Sequence, residues 1–118
     1  MSIFYIAIGG GLGAVCRFLI TEYINNNFSN FLSLGTLSVN VLGCFVVGCI
    51  IGFLASKSSP MYFFLVIGFL GSFTTMSAFS LQTLELFNHN ALNGIIYVIF
   101  TFSFTIVATY IGLMVFSK

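Results

Sequence analysis

Apolar residues run through this chain in four long blocks, divided by short polar stretches. The blocks reach roughly from Ile3 to Tyr23, Leu34 to Ala55, Met61 to Phe87 and Asn93 to Phe116. Each is long enough to serve as a helical membrane span, for which about 20 mostly apolar residues suffice. Between them lie NNNFSN at Asn25 to Asn30, SKSSP at Ser56 to Pro60 and NHNA at Asn88 to Ala91. Connections this short make neighbouring helices antiparallel. The pattern therefore predicts an all-α membrane protein with four transmembrane helices, forming one domain over residues 1–118 with no second domain, tail or low-complexity linker.

Polar positions inside the blocks interrupt the picture. The stretch GFLGSFTTMSAFS, residues 68–80, places Gly68, Gly71, Ser72, Thr74, Thr75, Ser77 and Ala78 near the middle of the third span, where leucine would suit lipid better. One reading is a broken helix, tolerated at membrane depth only where protein, ion or water satisfies the freed backbone groups. Such a break would present carbonyl oxygens able to hold a small cation. The other is a continuous helix whose small residues admit a close partner, and the residue types leave both open.

In the second span Thr36, Asn40, Gly43 and Val47 share one helical face, and in the fourth Tyr97, Thr101, Thr105, Ala108 and Gly112 do so. Asn40 lies about 9 Å inside its span at ~1.5 Å per residue. Both helices enter from the same side, so Asn40 and the Tyr97/Thr101 pair fall at comparable depth, with Arg17 in the same half. Polar groups at depth are functional suspects; against that stands their use as interhelical glue worth about 0.6 kcal/mol each. Gly9, Gly13 and Arg17, one turn apart in GGGLGAVCR, read as a small-residue packing face rather than an anion contact.

Composition agrees with the span count. The chain has 118 residues, 59% hydrophobic and 4% charged, with a mean hydropathy of +1.17, far from the range of water-soluble domains. A net charge of +1 without a basic cluster argues against nucleic acid as a partner, and one His with two Glu assembles no catalytic constellation, so an enzyme is not expected. Cys16, Cys44 and Cys49 fall within spans, match no metal spacing and read as small packing residues. His89 belongs to the third connection as a solvated residue, and Glu22 and Glu85 sit near span ends, within reach of the interface. The first span lacks a basic leader and a cleavage signature, and reads as a retained helix.

Taken in order, GGGLGAVCRF, GTLSVNVLGCFVVG, GFLGSFTTMSAFS and then Tyr97 with Thr101 and Gly112 resemble the Fluc (CrcB) fluoride-channel family across essentially all four spans. The resemblance implies four transmembrane helices with a break in the third, assembled as an antiparallel, dual-topology dimer with two pores in the cell membrane. It implies a structural, non-transported Na+ at the dimer centre and passive export of fluoride that relieves its toxicity. By position, Asn40 matches the pore asparagine, and Gly71 and Thr74 match the residues whose backbone carbonyls bind sodium. Phe79 matches the second phenylalanine of an aromatic box, and Ser77, Tyr97 and Thr101 match polar positions of the ion path. The family's usual TTFSTF reads here as TTMSAF, with Met76 in place of the first box phenylalanine and Ala78 in place of a threonine.

The residue types also suit fluoride on chemical grounds. A small, tightly hydrated anion needs compact donors to replace water, which the Asn40 amide and the Ser77, Thr101 and Tyr97 hydroxyls offer. They are neutral, and conduction requires binding that is favourable yet shallow. A phenylalanine edge attracts an anion without a formal charge. Two other readings stand beside this one: a proton-coupled exporter of the small multidrug-resistance kind, which needs a carboxylate at midspan, and a non-conducting membrane subunit of a heterodimer. Lys57 and Lys118 flank the side carrying both termini and only Arg17 counts against them, a small bias toward cytoplasmic termini. That bias and Met76 leave homodimer and heterodimer with a related subunit as alternatives.

Overall fold

The computed structural model describes residues 2–27, 34–54 and 59–116. Parts of the first two predicted connections, with Lys57, and also Lys118, lie outside the described residues. Helix α1 is Ser2–Asn27 and α2 is Leu34–Phe53. The third span opens as a π-helical segment, π1, Tyr62–Leu70, continues through a single α-helical turn, α3, Gly71–Phe73, and stops. It resumes as α4, Met76–His89, after which α5 runs Ala91–Phe116. Among the described residues four helices are long and apolar enough to cross a membrane, the third being the composite Tyr62–His89.

The expected third connection is shorter than its polar letters suggest. Asn88 and His89 are helical, and the link is Asn90 alone in extended conformation. Asn90 serves both neighbours. Its N–H donates to the Leu86 carbonyl at 2.8 Å, its side-chain oxygen accepts from the Leu92 N–H at 2.9 Å, and its carbonyl accepts from the Gly94 N–H at 3.3 Å. One residue thus satisfies a helix end and caps the next start.

Two pairs of helices form the frame, and each is packed through glycine. Gly9 and Gly13 of α1 lie against the backbone of Phe64 and Phe69 in π1, while Gly68 of π1 lies against Ile6, Gly9 and Gly10. On the other side, Gly48 of α2 faces Thr109, Gly112 and Leu113 of α5, and Gly112 faces Phe45, Gly48 and Cys49. In lipid, helices gain little from hydrophobic burial against each other, so close backbone approach through small residues provides the packing energy. Rising numbers meet rising numbers in both pairs, so α1 runs parallel to π1 and α2 parallel to α5. Helix α4 packs antiparallel on α5, with Gln82 against Tyr97 and Phe79 against Phe102.

The faces predicted from spacing are buried along most of their length. Thr36, Asn40 and Gly43 are buried on α2, and Tyr97, Thr101, Ala108 and Gly112 on α5, while Val47 and Thr105 are half-buried. Leu37, Phe79 and Tyr97 form one core cluster, and Val39, Leu70 and Phe73 another. The interior is small, and large apolar side chains cover the outside of every span, as a lipid solvent allows.

Candidate functional site

The site begins where the third span fails. Thr74 (φ −80°, ψ 153°) and Thr75 (φ −147°, ψ 118°) are extended, so the backbone groups on either side lose their helical partners. Side chains take their place. The Asn40 side chain makes a reciprocal pair with Thr75: its Oδ1 accepts from the Thr75 N–H at 2.7 Å and its Nδ2 donates to the Thr75 carbonyl at 3.1 Å. Arg17 Nε donates to the Ser72 carbonyl at 3.1 Å, bringing a cation to the C-terminal end of the first half-helix, where the backbone dipole favours positive charge. The Leu70 carbonyl accepts from both the N–H and the hydroxyl of Thr74, at 3.1 and 3.0 Å. The second half-helix is capped by Thr75, whose Oγ1 accepts from the Ala78 N–H at 3.2 Å.

The break borders two cavities. The larger, about 200 Å³, is lined by Asn40, Met76, Phe79 and Thr101, together with Cys44, Thr74, Thr75, Phe102 and Thr105. Among the described residues no charged side chain lines it. The smaller, about 160 Å³, is lined by Gly71 and Thr74 with Gly43, Cys44, Val47, Val66 and Leu70. Thr74 and Cys44 stand between the two.

Four of the six residues expected along an ion path, Asn40, Met76, Phe79 and Thr101, therefore converge on one cavity. Asn40 and Thr101 are buried at 7% and 6% exposure, and Phe79 at 7%, whereas Met76 is 65% exposed on the outer side. Phe79 is held between Tyr97, tilted at a centroid distance of 5.3 Å, and Phe102, edge-on at 5.8 Å. The other two lie apart. Ser77 is exposed, with its hydroxyl 3.2 Å from that of Thr75. Tyr97 is fully buried and donates its hydroxyl to Gln82 Oε1 at 3.2 Å. That donor is committed to an amide, so Tyr97 packs against Phe79 instead of offering a free donor to the cavity.

Thr101 differs from its neighbours. Thr105 and Thr109 turn their hydroxyls back to carbonyls one turn earlier, Thr101 and Thr105, at 2.7 and 3.0 Å, as Thr83 does to Phe79 at 2.7 Å. That is the usual way for a hydroxyl to disappear into an apolar helix. The Thr101 Oγ1 is buried and, among the described residues, has no hydrogen-bond partner. A hydroxyl in that state costs about 1–3 kcal/mol unless something enters the cavity to meet it.

Gln82 and the bond of Arg17 to the break escaped the sequence reading. A glutamine near a span end resembles a solvated residue, and only its meeting with Tyr97 across the α4–α5 packing marks it out. In sequence Arg17 belongs to a small-residue packing face with Gly9 and Gly13. Only the parallel packing of α1 against the first half of the third span brings Arg17, one turn after Gly13, level with Ser72 of α3.

The family described as "CrcB-like protein, Camphor Resistance (CrcB)" matches residues 4–113. The chain is 37% identical over 118 residues to the protein named fluoride-specific ion channel FluC from Flavobacterium psychrophilum, covering 97% of this chain and 95% of that one. A protein of the same name from Gloeothece citriformis is 34% identical, with 96% and 94% covered, and one from Rhizobium etli is 37% identical, with 95% and 93% covered. Four membrane-length helices, a broken third span and matches along nearly its whole length thus lead to one conclusion: the chain is a multi-pass membrane protein that belongs to the CrcB family.

Proposed function

We propose that the chain is a subunit of a fluoride-specific channel, letting fluoride leave the cell passively and so relieving its toxicity. The observation that carries this reading is the unpartnered hydroxyl of Thr101, buried in the same uncharged cavity as the Asn40 amide and the Phe79 ring. Asn40 spends one N–H on Thr75 and keeps a second, so the cavity holds two neutral donors beside an aromatic residue. Neutral donors can replace the water around a small anion while binding it loosely enough for release. The names of the relatives agree with this substrate.

A structural Na+ belongs to the proposal, held by the carbonyls of Gly71 and Thr74. Both residues border the smaller cavity at the break, and backbone oxygens are the ligands that a hard cation prefers. Two carbonyls are few for such an ion, which favours a site completed by a second copy or a related subunit in an inverted orientation. When bound, the ion supplies a fixed positive charge that steadies the joint between the subunits. The chain's own part is to keep the break open and its carbonyls presented.

The exporter alternative lacks support from the carboxylates. Glu22 and Glu85 are both exposed near helix ends, within five residues of Asn27 and four of His89. Fluoride efflux from liposomes containing the purified chain, with and without Na+ and with chloride as the competing anion, tests the proposal. Rapid, Na+-dependent efflux of fluoride and none of chloride is expected; fluoride-loaded vesicles that leak no faster than protein-free ones would overturn it.

A further inference from the structure

We propose that Asn40 and Thr75 are positioning residues for the cation site: by capturing two backbone N–H groups, they release the carbonyls of Gly71 and Thr74. The inference rests on the sodium reading above and adds the device that creates the ligands. In a continuous α-helix the N–H of residue i bonds to the carbonyl of residue i−4. The N–H of Thr75 would therefore occupy the Gly71 carbonyl, and the N–H of Ala78 would occupy that of Thr74. Neither does so. The Thr75 N–H donates to Asn40 Oδ1 at 2.7 Å, and the Ala78 N–H donates to Thr75 Oγ1 at 3.2 Å.

Three of the surrounding carbonyls are occupied. Leu70 accepts from Thr74, Ser72 accepts from Arg17, and Thr75 accepts from Asn40 Nδ2. Gly71 and Thr74, whose helical donors have been diverted, border the smaller cavity beside Leu70, whose carbonyl is already occupied by Thr74. Asn40 contributes twice, because the same amide that takes the Thr75 N–H also pins the Thr75 carbonyl and so fixes the extended backbone at the break. Asn40 therefore joins the two cavities: it lines the one assigned to the anion and shapes the ligands of the one assigned to the cation.

A cation readout separates this role from a part in anion conduction. The purified chain in detergent is unfolded thermally across a Na+ titration, with N-methylglucamine holding ionic strength constant and K+ as the specificity control. Stabilisation by a ligand that binds only the folded state reports its affinity. Wild type and Thr75→Ser, which keeps the acceptor oxygen, are expected to share one Na+ midpoint. Thr75→Val and Asn40→Ala should need at least about tenfold more Na+, the usual cost of losing a group that orients a metal ligand. A smaller shift in Thr75→Val, with wild type responding to Na+, overturns the positioning role and leaves the sodium reading standing. No Na+-specific response in wild type sinks the sodium reading and this proposal with it. If Asn40→Ala does not yield a folded protein, the Val and Ser variants of Thr75 decide the matter by themselves.

Discussion

The Asn40 side chain and the Thr75 backbone, 35 residues apart in sequence, exchange two hydrogen bonds of 2.7 and 3.1 Å. An asparagine amide has one acceptor and two donors, and here it imitates the peptide group missing from the break. This relationship turns a polar residue at depth, costly in hydrocarbon, into the support for a non-helical backbone that hydrocarbon would otherwise forbid.

Asn40→Ala is expected to abolish fluoride flux, since it removes a donor from the cavity and the support of the break together. Efflux from liposomes measures the loss, and flux like that of wild type would remove Asn40 from the ion path. Size-exclusion chromatography of the same preparation establishes that the variant remains folded.

Thr101→Val should separate stability from function. The variant keeps the shape of the side chain and deletes a buried hydroxyl that has no partner, so thermal stability should hold or rise by about 1 kcal/mol. Fluoride efflux should nevertheless fall sharply. A variant that loses stability as well as flux would mean that the hydroxyl is satisfied within the fold, and that its lone state is no mark of a site.

Phe79→Ile keeps the volume roughly constant but deletes a ring packed on Tyr97 and Phe102. Each aromatic pair is worth about 0.5–1.5 kcal/mol, so modest destabilisation should accompany a marked drop in conduction. Normal conduction in a destabilised variant would assign the ring to packing alone.

Gly48→Ala and Gly11→Ala form a matched pair for the frame. A methyl group on Gly48 would run into the Thr109 carbonyl and the backbone of Leu113, whereas one on Gly11 meets nothing within 4 Å. The first substitution is expected to cost about 1–3 kcal/mol by forcing α2 from α5. The second should be neutral or gain up to about 1 kcal/mol, since alanine is the better helix former. Equal melting temperatures for the two variants would contradict the glycine-mediated contact.

Expression of this chain without any related subunit, in cells made sensitive to fluoride, addresses assembly. Met76, 65% exposed on the outer side of the cavity, stands where the resemblance predicts an aromatic ring. Full rescue of growth would show that a methionine there suffices in a homodimer, because methionine is flexible and polarisable enough to fill such a place. Failure to rescue, with the protein present in the membrane, is the outcome expected of a chain that needs an inverted partner.

The sequence by itself determined the solvent and the helices. Membrane spans are set by length and apolarity alone, so blocks at Leu34 to Ala55 and Asn93 to Phe116 became α2 and α5 with their starts and ends displaced by no more than two residues. The buried faces through Asn40 and Thr101 were legible for the same local reason, a helical period that any straight helix obeys. Only the tertiary structure decided whether the third span breaks. Gly71, Ser72, Thr74 and Thr75 permit either a break or a close packing face, and the choice rests on donors and acceptors that arrive from elsewhere: the Asn40 amide from α2 and the Arg17 guanidinium from α1. The π-helical winding of Tyr62–Leu70, the hydrogen bond that the Tyr97 hydroxyl donates to Gln82 and the isolation of the Thr101 hydroxyl belong to the same class. Hydrogen-bond partners at membrane depth must come from protein, and which residues meet is set by how the helices pack.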